Sequence, residues 1–187
     1  MTTLSPTSAL RRFLVLTALR WLPPGLIAPV ALLLALDRGL SLSEIGLAAA
    51  TQGVIVFLLE LPTGGLADAI GRRRVVLVSM VVSAVALAGF AVAHSFAAFV
   101  VVFVLMGIYR ALDSGPLEAW YVDTVHATDP EAKLQKGLSA QGTVLGLALA
   151  TGALASSGLV ALNPLPAWGS LTLPVVVALA VQLIALA

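Results

Sequence analysis

The chain has 187 residues, of which 60% are hydrophobic and 10% charged, and its mean hydropathy is +1.07. These values lie outside the range of soluble globular domains and indicate a polytopic membrane protein. A formal net charge of +1 gives no electrostatic basis for nucleic-acid binding, and the absence of cysteine excludes disulfides, thiolate metal sites and cysteine nucleophiles.

A bilayer core of about 30 Å needs about 20 apolar residues per helix. Five segments meet that length, at about 13–36, 44–66, 74–93, 96–122 and 137–162, and a shorter sixth runs over about 171–187. Arg11 and Arg12 precede the first apolar run, as in a twin-arginine export signal. Arg20 and Pro23-Pro24-Gly25 interrupt the would-be signal core, so the first segment is expected to stay in the bilayer with the arginine pair as its anchor. The loops DRGLSLSE, HS and NPLPAWGS fall on one side of the membrane, and GGLADAIGRRR and DTVHATDPEAKLQK on the other. Arg11, Arg12, Arg72, Arg73, Arg74, Lys133 and Lys136 share the second side, whereas Arg38 stands alone on the first. This bias predicts a multi-pass protein of the plasma membrane with a cytoplasmic N-terminus. The sixth segment ends at VQLIALA with neither polar cap nor basic anchor. Residues 1–187 are therefore expected to be an N-terminal six-helix bundle, its last helix cut short.

Between the second and third segments, Gly64, Gly65 and Gly71 permit a tight turn, and Asp68 and Arg72 stand four apart, able to pair if that turn is helical. Topology alone accounts for glycine and arginine in such a loop. The full pattern Gly64-x-Leu66-Ala67-Asp68-x-x-Gly71-Arg72-Arg73, preceded by Glu60 in LELPTG, resembles the signature loop of the major facilitator superfamily of transporters. One departure is Ala69, where that family usually has a basic residue. The resemblance implies an all-α fold of two six-helix halves, each built from two inverted three-helix repeats, with this chain close to the first half alone. It also implies that Asp68 is a conformational latch meeting the other half in the outward-open state. Arg72 would then pair with Asp123 at the end of the fourth helix. The alternative for Asp123 is an ordinary solvated helix end.

Charges inside the predicted spans are costly unless paired or wet, and by default they mark ion or substrate pathways. Arg20, Glu60, Arg110, Asp113 and Glu118 are the cavity candidates, all on the first, second and fourth segments. Arg110 and Asp113, three apart, can neutralise one another on one helix. Arg20 and Glu60 fall at about 10 Å below the cytoplasmic boundary and can pair across adjacent helices, with Glu118 at similar depth competing for Arg20. A purely structural ion pair is the alternative role for these groups. The break Ser114-Gly115-Pro116 is expected where backbone lines a cavity rather than lipid. The family resemblance further implies that the first and fourth helices face a central cavity and the third and sixth face lipid. Arg110 resembles the family's fourth-helix arginine motif only partly, because Gly115 follows five residues later rather than four. In the fifth segment Gly142 and Gly146, with Ala150, form a small-residue stripe suited to helix packing. Leu147 stands where the family's antiporters often have proline.

His94 and His126 lie alone in opposite loops, and no phosphate-binding loop is present, so neither a metal, a cofactor nor an enzymatic activity is expected. The expected function is transport of a small solute by alternating access, with proton coupling through Asp113, Glu60 or Glu118. The expected partners are the lipid bilayer, a small-molecule substrate, and a missing C-terminal half or second chain. Two rivals stay open: a non-transporting remnant or regulator that docks through the fifth-helix stripe, and a half-transporter that assembles with a second chain. Charge inventory does not distinguish one solute from another.

Overall fold

The computed structural model describes residues 5–186; the side chains at positions 61, 64, 66–68 and 70 lie outside the described set. Every regular element among the described residues is helical: α1 (Pro6–Ile27), α2 (Ala31–Asp37), α3 (Leu42–Ile70), α4 (Arg72–Val92), α5 (Phe96–Asp113), α6 (Pro116–His126), α7 (Gln135–Leu162), a short 3-10 turn (Pro166–Trp168) and α8 (Leu173–Leu186). Five stretches are long and apolar enough to cross a bilayer, namely Pro6–Asp37, Leu42–Glu60, Arg72–Val92, Phe96–His126 and Gln135–Leu162, and α8 is a shorter apolar helix. These five match the first five expected spans, and α8 falls where the shorter sixth segment was expected.

The first and fourth spans are both broken, so that α1 and α2 share the first and α5 and α6 share the fourth. Pro23 and Pro24 stay inside α1, and the chain turns only at Ala28–Val30, just ahead of α2. The interruption expected at Pro23-Pro24-Gly25 thus lies one turn later, because each proline first removes a donor and only the accumulated loss ends the helix. In the fourth span the break falls at Ser114 and Gly115, with Gly115 at φ 92, and Pro116 starts α6. Each break follows the longer, N-terminal part of its span, as two related three-helix units would place it.

The connection between α3 and α4 is shorter than a loop. α3 runs to Ile70 and α4 starts at Arg72, which leaves Gly71 at φ 94 as the turn. Only glycine takes that conformation without strain. Gly64 and Gly65 are therefore helical positions rather than turn residues.

α4, α5 and α3 pack together, as do α1, α7 and α8; α4 joins the two groups through α8, and α1 joins them through α6. Gln182 of α8 donates to the Met80 carbonyl of α4 at 3.2 Å across that joint. One apolar cluster, with Leu34, Phe90, Phe99 and Val175, fills the end that carries Arg38. Another, with Phe13, Leu117 and Tyr121, fills the opposite end, where the Phe13 and Tyr121 rings stack at 4.4 Å.

Arg38 has a structural task there. It donates to the carbonyls of Phe90 (2.8 Å), Ala91 (2.7 Å) and Ala93 (2.5 Å) and to Thr172 Oγ1 (3.2 Å), closing the C-terminal end of α4 and tying it to the segment before α8. A cation at a helix C-terminus meets both the unsatisfied carbonyls and the negative end of the dipole. Burial lowers its guanidinium pKa from the ordinary value, an effect the Asp37 carboxylate opposes. Next in the chain, Ser41 and Glu44 form a reciprocal cap at the start of α3, with Glu44 Oε2 accepting from Ser41 N at 2.8 Å and Glu44 N donating to Ser41 Oγ at 3.3 Å.

The close approach of α1 and α7 rests on small residues in a register different from the expected one. The buried residues on α7 include Ala148, Gly152 and Ser156, spaced four apart. A Cβ on Gly152 would stand 2.8 Å from backbone atoms of Leu22, Gly25 and Leu26, and one on Gly25 would stand 2.7 Å from the Leu149 carbonyl. Gly142 and Gly146 lie on an exposed face of α7 with open space around them. Both stripes have helical spacing, and only the inward one meets a neighbour. Gly152→Ala is expected to destabilise the bundle by about 1–3 kcal/mol through backbone overlap. Gly146→Ala should be neutral or stabilising by up to about 1 kcal/mol, through helix propensity. Thermal unfolding of the two variants in detergent checks the difference in sign.

Candidate functional site

The break in the fourth span creates a chemical problem at membrane depth. The last carbonyls of α5 lose their intrahelical donors, and in lipid no water replaces them. Three side chains supply donors. Thr63 of α3 gives its hydroxyl to the Ala111 carbonyl at 3.0 Å, and Ser114 does the same at 3.0 Å. Arg20 of α1 donates through one guanidinium nitrogen to the Asp113 carbonyl and through Nε to the Asp113 carboxylate. A single arginine thus caps α5 and neutralises the acid that ends it.

Arg20 and Asp113 are mostly buried, with side-chain exposures of 17% and 12%. Glu118, in the first turn of α6, lies 3.9 Å from Arg20 and accepts from the Gln141 amide of α7 through Oε1. Its second oxygen, Oε2, is buried with no hydrogen-bond partner among the described residues. Four helices meet at this cluster, α1, α5, α6 and α7. It borders a cavity of about 220 Å³ whose lining includes Trp21, Arg110, Asp113 and Glu118. A smaller cavity of about 60 Å³, between α1, α4, α5 and α8, reaches Arg20 and Asp113 from the other side and has room for a few waters.

The expected pairing within the fourth helix does not form. Asp113 turns to Arg20, and Arg110 is exposed, with its guanidinium 6.0 Å from the centre of the Trp21 ring. The three-residue spacing allowed a local pair, but Asp113 is the last residue of α5, where a partner from another helix satisfies carboxylate and carbonyl together. The expected pair of Arg20 with Glu60 is also absent: Glu60 is exposed and has no ion-pair partner among the described residues. Glu60 is the last residue of the apolar stretch of the second span, while α3 itself continues to Ile70.

At the basic end of the bundle, Arg72 of α4 donates to the Asp123 carboxylate of α6. Arg73 is exposed beside it. Gly71 forms the turn between α3 and α4, and Arg72 is the first residue of α4. The side chain of Asp68 and position 64 lie outside the described residues. Sequence reasoning passed over Trp21, Thr63 and Gln141. Each is a polar or amphipathic residue within an apolar span, a signal available for Gln141 and Thr63 but without indication of which neighbour each would meet.

An all-helical bundle with ion pairs buried at span depth defines a polytopic membrane protein with a charged interior. The chain matches the family model of the Major Facilitator Superfamily over residues 13–187. It belongs to that family, whose members carry small solutes across membranes and are transporters rather than enzymes. A search of curated proteins returned no match.

The Arg72–Asp123 pair is half exposed, with side-chain exposures of 34% and 63%. Such pairs contribute about 0–1 kcal/mol. Arg72→Ala should therefore leave the unfolding temperature nearly unchanged, and a loss of several degrees would show a larger role in holding α4 to α6.

Proposed function

We propose that the chain is the N-terminal half of a solute transporter that works by alternating access, with its N-terminus in the cytoplasm and the plasma membrane as its site. The observation that carries this reading is the Arg20–Asp113–Glu118 cluster, buried between the first, fourth and fifth spans and opening on a cavity with Arg110. Charges at this depth are retained where they line a path for a polar solute or ion. The lysine and arginine bias supports the orientation. The C-terminal half, in the same chain or a second one, covers the open side of the cavity.

In this reading the Gly71 turn and the Arg72–Asp123 pair hold α3, α4 and α6 together on the cytoplasmic side, and Asp68 meets the other half when that side closes. Asp113, Glu118 and Glu60 are the candidate proton carriers. Neutralising each in turn, as Asp113→Asn, Glu118→Gln and Glu60→Gln, is expected to abolish pH-driven flux in one variant. Equal flux in all three would rule out proton coupling through this half.

The absence of native cysteine makes the cavity directly testable. Ser114 is exposed and lines the cavity beside Arg110, whereas Val85 is an exposed apolar residue of α4, on the expected lipid side. Ser114→Cys should react with a membrane-impermeant, water-soluble thiol reagent at a rate that changes with solute, and Val85→Cys should not react. Protection of Ser114→Cys under every condition would contradict a water-filled path.

A further inference from the structure

Arg20 and Arg110 have opposite fates. Arg20 is saturated by the Asp113 carboxylate, the Asp113 carbonyl and the neighbouring Glu118. Arg110 has no acid within ion-pair distance among the described residues, and the contact it makes is the face of Trp21. It stands 14 residues into a fourth span of 31 residues, about 21 Å along the helix and near its middle. The arginine side chain offers five N–H donors and no acceptor. Asp113 is committed to Arg20 and Glu118 Oε1 to Gln141, and neither acid lies within ion-pair distance of Arg110. Arg110 is exposed and lines the cavities on either side of it, so its guanidinium is open to an oxyanion that enters them.

Arg110 also separates two cavities of unlike character. The acids Asp113 and Glu118 line the first, with Trp21. The second, of about 280 Å³, is walled by apolar residues such as Ile27, Leu87 and Met106, carries the hydrogen-bonding side chains of Gln52 and Ser83, and has Arg110 as its charged group. It is thus an apolar chamber with one fixed cation at its mouth and an aromatic face beside that cation. A planar guanidinium fork with unused donors matches a carboxylate or similar oxyanion bidentately. The volume lies just below the usual range of ligand pockets and suits a small molecule.

We propose that Arg110 and Trp21 form a binding subsite for a small amphipathic organic monoanion, whose oxyanion meets the Arg110 guanidinium while its apolar body enters the chamber bounded by Ile27, Leu87 and Met106. This inference rests on the transporter reading and names the substrate class. A cationic or neutral solute of the same shape leaves the guanidinium uncompensated and is disfavoured.

The test is direct binding to the purified protein, together with its C-terminal half, by fluorine NMR line broadening. The probes are fluorobenzoate, fluorobenzamide and fluorobenzylamine, which share a ring and differ in charge. Fluorobenzoate should bind at least tenfold more tightly than either counterpart. Arg110→Gln should weaken it tenfold or more, whereas Arg110→Lys, which keeps the charge but loses the planar fork, should fall between Arg110→Gln and the native value. Trp21→Leu should weaken it several-fold. Equal binding of the three probes, preference for the amine, or unchanged fluorobenzoate binding in Arg110→Gln would overturn the anion subsite while leaving a ligand cavity in place. Failure of all three probes to bind, with Ser114→Cys still reactive to aqueous thiol reagent, would overturn the subsite alone. Failure of both would remove the transporter reading with it.

Discussion

The break in the fourth span at Ser114 and Gly115 is the feature on which the rest of the arrangement depends. A helix interrupted at membrane depth must find donors for its last carbonyls within the protein, since lipid offers none. Arg20 meets that requirement together with the need to neutralise Asp113, which ends the same helix. An arginine is suited to both tasks because its fork reaches two acceptors at once, which a lysine ammonium does less well. Holding α1 against the broken helix in turn sets where α6 and α7 lie, and so where Glu118 and Gln141 complete the cluster.

The same logic recurs at the other end of the bundle. Arg38 reaches three carbonyls at the C-terminal end of α4, so the arginine that stood alone in the charge count acts as a helix cap. Between these two polar closures the helices are joined by apolar contact and by glycines that let backbones meet, Gly25 against α7 and Gly107 against Ile55 and Gln52 of α3. Two arginines therefore satisfy helix ends, a third pairs on the surface with Asp123, and Arg110 is exposed beside Trp21 with no ion-pair partner among the described residues.

Much of this was legible in the sequence, for identifiable reasons. The five spans and the shorter sixth helix follow from hydropathy, which the bilayer makes a strong constraint, and the fourth-span break follows from Ser114-Gly115-Pro116, where local chemistry decides. The partner of a charge was less accessible. The spacing of Arg110 and Asp113 pointed to a local pair, but a helix terminus rewards a donor arriving from another helix, and helix position alone does not say which one arrives. Depth arithmetic brought Arg20 near both Glu118 and Glu60, and depth alone does not say which of two acids at one level meets the arginine; Glu118 does. For the fifth span, the periodicity of small residues revealed two stripes, and only tertiary packing separates Gly152 from Gly146. Family resemblance supplied the Arg72–Asp123 pairing, which neither composition nor spacing would have suggested across fifty residues.

The most direct test of the account is a double-mutant cycle on Arg20 and Asp113, read by thermal and denaturant unfolding in detergent. Removing either partner should strand a buried charge, and Arg20→Gln or Asp113→Asn alone is expected to cost about 3–5 kcal/mol. Arg20→Gln should be the costlier of the two, because it also uncaps the Asp113 carbonyl. The double variant should cost clearly less than the sum of the singles, with a coupling of about 1–3 kcal/mol. Additive or negligible losses would mean that Arg20 does not hold the broken fourth span, and would contradict the account at its base.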